Sequence, residues 1–270
     1  MIKFNGRSRL KVYMPSKPIK FGFKVYLMTD ASNSYVLNWI LHEGPNESLV
    51  SLTQRIAEAY ENRGFIVFMD RYYTTIDVIK DLSDRGFGVF AAIQQNRIHG
   101  NKKMKESFKR LGEGESKFYL YENQKILLTC WRDSKVVLLI SNLGDDNLVQ
   151  ICRNKNIKVN GEITYVMKEL DCPENIKTYS MYSRGVDRFD QLISYYTIDH
   201  KSVKWYLRIV LHLISVAMYN SFILYSKSKG KKAHYGTYLQ FEQSVIESLV
   251  AEMRNRKRTE KIPKDYLNIF

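Results

Sequence analysis

Three aspartates in two settings could do chemistry. Asp70 closes an apolar run, Gly64-Phe65-Ile66-Val67-Phe68-Met69, and is followed by Arg71-Tyr72-Tyr73-Thr74-Thr75. Asp187 and Asp190 lie far downstream in Gly185-Val186-Asp187-Arg188-Phe189-Asp190-Gln191. At i and i+3 they share one helical face. Carboxylates held that close repel, and a cation relieves the repulsion. One carboxylate at the mouth of a strand, facing carboxylates on a helix, is the donor set of a divalent-metal site for phosphoryl transfer. Magnesium takes one or two carboxylates plus substrate phosphates, and two such ions roughly 3.5–4 Å apart can stabilise the attacking and leaving oxygens of a phosphodiester. Structural roles compete at each position. Asp70 can cap the next helix, and Asp187 and Asp190 can sit near a helix start because the dipole favours them.

The substrate such a site would meet is set by charge. Forty-two Lys and Arg against 28 Asp and Glu give a formal net charge of +14, which favours nucleic acid or another anionic surface as partner. Hydrophobic residues make up 44% of the chain, enough for a packed core and too many for a disordered one. Cys130, Cys152 and Cys172 are far apart and lack Cys-x-x-Cys spacing. They point to a reducing compartment and against a zinc module or disulfide framework. His212 and His234 also lack ligand spacing. Lys3, Arg7 and Arg9 interrupt the start before an apolar core forms, so no signal peptide is expected. The longest apolar stretch, Leu207 to Tyr225, is broken by Arg208, His212 and Asn220 and reads as a buried helix, not a membrane span.

The elements that must position these groups follow from periodicity. Residues 23–30 and 35–41 read as two strands of a hairpin turned at Asn33-Ser34. Leu49, Leu52, Ile56 and Ala59 have helical spacing, and Gly64 is a stop signal. Phe65 to Met69 is a continuous apolar strand, expected to be covered on both faces. Ile76 to Leu82 is a short helix and Phe87 to Ile93 another apolar strand. Residues 97–180 open with a basic loop (Arg97, Lys102, Lys103, Lys105), and strands are predicted at 117–121, 126–131 and 135–141. Helices return after Tyr182, with a long one over 203–225 and a last amphipathic one over about 238–253. The whole reads as an α/β fold, a mixed sheet with flanking helices. The expected division is an N-terminal part of the core over 1–96, a β-rich insertion over 97–180 and a C-terminal helical part over 181–270.

The chain resembles the piggyBac transposase family. The matching segments are Phe4-Asn5-Gly6-Arg7, Tyr13-Met14-Pro15-Ser16-Lys17-Pro18 with Phe21-Gly22-Phe23-Lys24, and Asp70-Arg71-Tyr72-Tyr73-Thr74. Arg184 to Leu192 follows, then Lys204-Trp205 leading to Asn220-Ser221-Phe222-Ile223. They occur in family order and span nearly the whole chain. The resemblance implies a ribonuclease H-like catalytic core and a DDE/D-type DNA transposase acting in the nucleus. In that mechanism water cuts one DNA strand with two Mg2+ (or Mn2+) ions, and the freed 3′-hydroxyl attacks again. Asp70 then matches the second catalytic aspartate, Asp187 the third, and Asp190 is a further acid of the same motif and a metal ligand with them. His200, Lys201, Lys204 and Trp205 resemble the family's basic stretch. Lys201 and Lys204, with Arg97, Lys102 and Lys103, are the candidate DNA contacts. A homodimer is implied, and neither a membrane nor a small-molecule cofactor is expected.

Departures from the pattern carry their own expectation. The family's first aspartate precedes the Phe-x-Gly-Arg segment, and here that segment begins at Phe4, so the first core strand and its acid are expected to be missing. Asp70 is followed by Arg71, where asparagine is common, and Arg184-Gly185 stands in place of Gly-Gly. Loss of one carboxylate from a two-metal site removes several kcal/mol of transition-state stabilisation, on the order of what one electrostatic group supplies. The chain is therefore expected to be inactive as it stands. A domesticated, non-catalytic DNA-binding or scaffold protein is the alternative, and a metal nuclease without strand transfer is a third. The basic run from Arg254 to Lys261 fits nuclear import, DNA contact or a solvated face.

Overall fold

Strand and helix signals settle into a definite order along the chain. The computed structural model describes residues 1–44, 47–98, 100, 102–121, 125–159, 162–196, 198, 202, 204–230 and 235–259, with backbone alone at 155–159, 162–165, 235, 236 and 254–259. Three short strands open it: β1 (Ile2–Lys3), β2 (Lys11–Tyr13) and β3 (Phe21–Phe23). The hairpin β4 (Val25–Thr29) and β5 (Val36–Leu41) leads to helix α1 (Leu49–Ala57), which Ser48 caps by accepting the Ser51 N–H at 3.1 Å. Then come β6 (Ile66–Met69), α2 (Ile76–Asp84), β7 (Gly88–Ala92), α3 (Lys102–Lys109), β8 (Ser116–Tyr121), β9 (Ile126–Arg132) and β10 (Val136–Ser141). A long hairpin, β11 (Leu148–Val159) and β12 (Glu162–Pro173), precedes four helices: α4 (Glu174–Tyr182), α5 (Gly185–Tyr195), α6 (Trp205–Ser228) and α7 (Tyr235–Thr259).

The chain divides into two compact units. One comprises residues 25–32 and 37–186, the other residues 1–24, 33–36 and 187–270.

The first unit is built on a five-stranded mixed sheet in the order β6-β7-β10-β9-β8. β6 and β7 are parallel, with Met69 opposite Ala91, and the remaining pairs are antiparallel. Parallel neighbours need a crossover, and α2 supplies it. Thr75 starts α2 by accepting the Val78 N–H at 3.2 Å. Gly86 ends it: the Gly86 N–H bonds the Ser83 carbonyl and the Phe87 N–H the Leu82 carbonyl, with Gly86 at φ +77°. That left-handed conformation strains any residue with a Cβ. One face of the sheet carries the main core, where Val78, Ile79 and Leu82 of α2 meet Val89, Ala91, Leu128, Cys130 and Ile140. The other face gathers Phe90, Trp131 and Leu139 against Cys172 and Ile176. α4 thus covers the face opposite α2, as a mixed α/β layer arrangement requires.

β6 differs from the expectation of a strand covered on both faces. Among the described residues it is the edge strand, paired with β7, and Phe65 and Ile66 are 48% and 49% exposed. Within the 97–180 stretch read as an insertion, β10 pairs with β7, and β9 and β8 follow it in the same sheet. The β11–β12 hairpin is a two-stranded sheet of its own. Its base is fixed where the Trp131 indole N–H donates to the Asp171 carbonyl at 2.8 Å.

The second unit packs α5, α6 and α7 with the β1-β3-β2 sheet. Phe189 is fully buried against Tyr219 at 5.0 Å between ring centroids, and Phe222 meets Tyr238 at 5.1 Å. α6 is long and apolar enough to cross a membrane by length and composition. Its polar residues are engaged within this unit. Arg208 donates to the Lys3 carbonyl at 3.1 Å, and Asn220 pairs with both backbone groups of Val36 at 2.9 Å. The sequence reading of a helix buried all round is corrected here. Val210, Ile214, Leu224 and Tyr225 are exposed, because Val216, Tyr219, Phe222 and Ile223 form the buried stripe.

Candidate functional site

Asp70 sits where β6 runs out. Its carboxylate accepts the Tyr72 N–H at 2.8 Å, and its own carbonyl accepts from the Tyr73 N–H at 3.1 Å and the Thr74 hydroxyl at 3.0 Å. This is an Asx turn, an aspartate side chain imitating the backbone of a turn. The competing role as helix cap falls to Thr75, so Asp70 is left exposed at the carboxyl end of a strand. Beneath it the Tyr179 hydroxyl donates to the Met69 carbonyl at 3.2 Å, and Phe68 stacks on Phe90 at 5.7 Å. The adjoining Tyr26 phenol hydrogen-bonds His42 Nδ1 at 3.0 Å and is pushed up to about 12, first by burial and then by Tyr72.

Asp187 and Asp190 lie on α5, as the spacing predicts. The helix starts at Gly185, where a Cβ would run into the Thr29 hydroxyl. Asp187 is exposed in the first turn, where the helix dipole favours a carboxylate. Phe189, Leu192 and Ile193 turn inward. Asp190 keeps much of its residue surface, yet the atoms around its carboxyl are dense enough to desolvate it. That desolvation raises its pKa above the usual carboxylate range, and Asp187 adds to the rise. The Met1 ammonium and Lys17 pull the other way.

The basic candidates have separate settings. Lys102 and Lys103 are exposed on α3, which buries Phe108 and half-buries Met104. The sequence reading made this stretch a loop. The i, i+4 pair Met104 and Phe108 is the signal for the helix, obscured by the lysines around it. Lys102, Lys105 and Lys109 line an open depression of about 360 Å³ with Gln95, Gly100 and Glu106. Lys204 is exposed at the N-terminus of α6, where unpaired N–H groups favour an anion. Arg97 is half-buried and turned to backbone instead. Its Nη1 donates to the carbonyls of Arg71, Tyr72 and Thr74 at 3.2, 2.7 and 3.1 Å. Lys201, His200 and His234 lie outside the described residues. So do the side chains of the run from Arg254 to Lys261. Cys130 and Cys172 are buried, and burial pushes their thiols up to about 12 and about 11, so neither offers a thiolate near neutral pH.

A magnesium or manganese centre can be tested against this donor set. Among the described residues no three His, Cys, Asp or Glu side chains gather closely enough to hold a metal ion. Asp70 lies in the first unit, and Asp187 and Asp190 lie in the second.

Comparison with known proteins decides the family. The family model described as "Transposase IS4" matches residues 1–222. The chain belongs to this transposase family. The transposase domain is also similar to PiggyBac transposable element-derived protein 2 of Homo sapiens, 23% identical over 237 residues, covering 83% of this chain and 39% of that protein. PiggyBac transposable element-derived protein 3 of Homo sapiens is 20% identical over 258 residues, covering 91% and 42%. The domain thus spans about two fifths of the length of these curated relatives. A cryo-EM structure of a piggyBac transposase synaptic complex with hairpin DNA has the same fold. It aligns with a TM-score of 0.73 at 22% identity over 98% of this chain and 53% of that one. The mixed sheet with flanking helices is therefore the piggyBac-type α/β fold.

Proposed function

We propose that this transposase domain binds DNA and that Asp70, Asp187 and Asp190 belong to a DDE/D-type centre. The family match over residues 1–222, which contains Asp70, Asp187 and Asp190, carries the reading. On this reading the mixed sheet is a ribonuclease H-like core and the three aspartates are the inherited acids of a DDE/D centre. Binding itself rests on the +14 charge and on Lys102, Lys103 and Lys204, all exposed. The solved relative of the same fold is a complex with hairpin DNA, which supports DNA as the polyanion. A nuclear location and a homodimer belong to the same proposal.

Fluorescence anisotropy with a labelled duplex tests it. Binding should weaken steeply with salt, because each neutralised phosphate contributes about −0.9 to the slope of log K against log[salt]. Lys102→Ala should lower that slope by about one and weaken binding uniformly across sequences. A chain that shows no binding at low salt, or a slope near zero, would contradict the proposal.

A further inference from the structure

The structure assigns Arg97 a positioning role: it braces the turn that presents Asp70, and it is not a phosphate contact. The inference rests on the functional reading above only where it gives Asp70 a purpose. The turn has no regular ladder to hold it. β6 ends at Met69 and α2 does not begin until Ile76. Between them Arg71, Tyr72 and Thr74 turn backbone carbonyls toward Arg97. The Thr74 bond is the partly buried one of the three, and a carbonyl so placed is costly to leave unpaired. Arg97, in a short helical turn over Gln95–Arg97, brings one guanidinium nitrogen within 3.2 Å of all three.

The anchoring of Arg97 fits a fixed brace. Its own N–H bonds the Gln94 carbonyl at 3.0 Å, and the next residue, Ile98, is buried in the main core. Its charge is thereby tied to backbone dipoles 23 to 26 positions back in the chain. Charge-assisted bonds of this kind are stronger than neutral ones. Nη1 has two hydrogens, and both are committed to those carbonyls, so only Nη2 or Nε could meet a phosphate. Thr74 completes the arrangement. It is fully buried, and its hydroxyl closes onto the Asp70 carbonyl. The turn is thus held from inside by Thr74 and from the side by Arg97, while the Asp70 carboxylate faces solvent.

Hydrogen exchange and salt-dependent binding on the full chain separate the two roles. Arg97→Met keeps length and removes charge and donors. It should speed exchange at the Tyr72 and Tyr73 amides at least about tenfold while amides of β9 and β10 stay protected. It should leave the salt slope of duplex binding within half a unit of wild type, where Lys102→Ala lowers it by about one. Arg97→Lys, whose ammonium keeps charge and donors, should restore part of the protection and serves if the methionine variant does not fold. Wild-type exchange at Tyr72 and Tyr73 in both variants would overturn the brace. So would a slope lowered by about one in Arg97→Met. If the wild-type chain binds no DNA, the functional reading fails separately and the exchange comparison alone decides the role of Arg97.

Discussion

Several polar side chains in this domain stand in for backbone. Asn220 accepts the Val36 N–H and donates to the Val36 carbonyl, and Asn142 does the same for the Val89 N–H and the Phe87 carbonyl. Asp70 closes its own turn, and Arg97 satisfies three carbonyls beside it. Such groups cost little when paired and a good deal when orphaned. His212 on α6 is affected by desolvation instead. Burial, with the Met1 ammonium adding, lowers its pKa to about 4. The imidazole is neutral in the fold, whereas in an unfolded chain it takes up a proton near 6.5. Between those values the unfolded state binds more protons, so stability is lost as pH falls from about 6.5 towards 4. By pH 5 the loss is at most about 2 kcal/mol. Urea denaturation at pH 7.5 and 5.0 should show this drop, and His212→Gln should remove that share of it. Asp70 as a strand-end acid and Asp187 with Asp190 on one helix face were legible from residue type and spacing alone. The role of Arg97 was not, because its partners lie 23 to 26 residues away and a lone arginine in a basic stretch carries no sign of which way it points.

At the scale of elements, legibility followed periodicity. The β4–β5 hairpin, α1, α2, β7 and β8 to β10 have clean apolar patterns, and each stands within a few residues of its expected place. α3 was hidden because Lys102, Lys103, Lys105 and Lys109 surround the two residues that pack. α4 was missed although Pro173 and Glu174 are a good helix start, since its buried residues are only Asn175 and Ile176. β11 and β12 pair over twelve residues each, yet little alternation survives in a hairpin exposed at 152–154 and 166–169. The edge position of β6 could not be read either, because an apolar run does not state how many neighbours it has. α6 is fixed by more than its apolar stripe. Asn220→Ala would leave both Val36 backbone groups without their partner and should cost about 1–3 kcal/mol in urea denaturation. Ser221→Ala next to it, exposed and bonded only to Ala217 of its own helix, should change stability by less than about 0.5 kcal/mol.

For the whole molecule, charge is the property the composition states most plainly. A net +14 favours a polyanionic partner, and a relative of the same fold was solved as a complex with hairpin DNA. Composition made the charge legible, and the family motifs marked Asp70 at its strand end and Asp187 with Asp190 on their helix. The most direct measurement is an anisotropy titration of a labelled duplex with the 270-residue chain at several salt concentrations. The proposal predicts saturable binding, with log K falling by about 0.9 per neutralised phosphate for each decade of salt. Absence of binding at low salt, or a slope near zero, would contradict it.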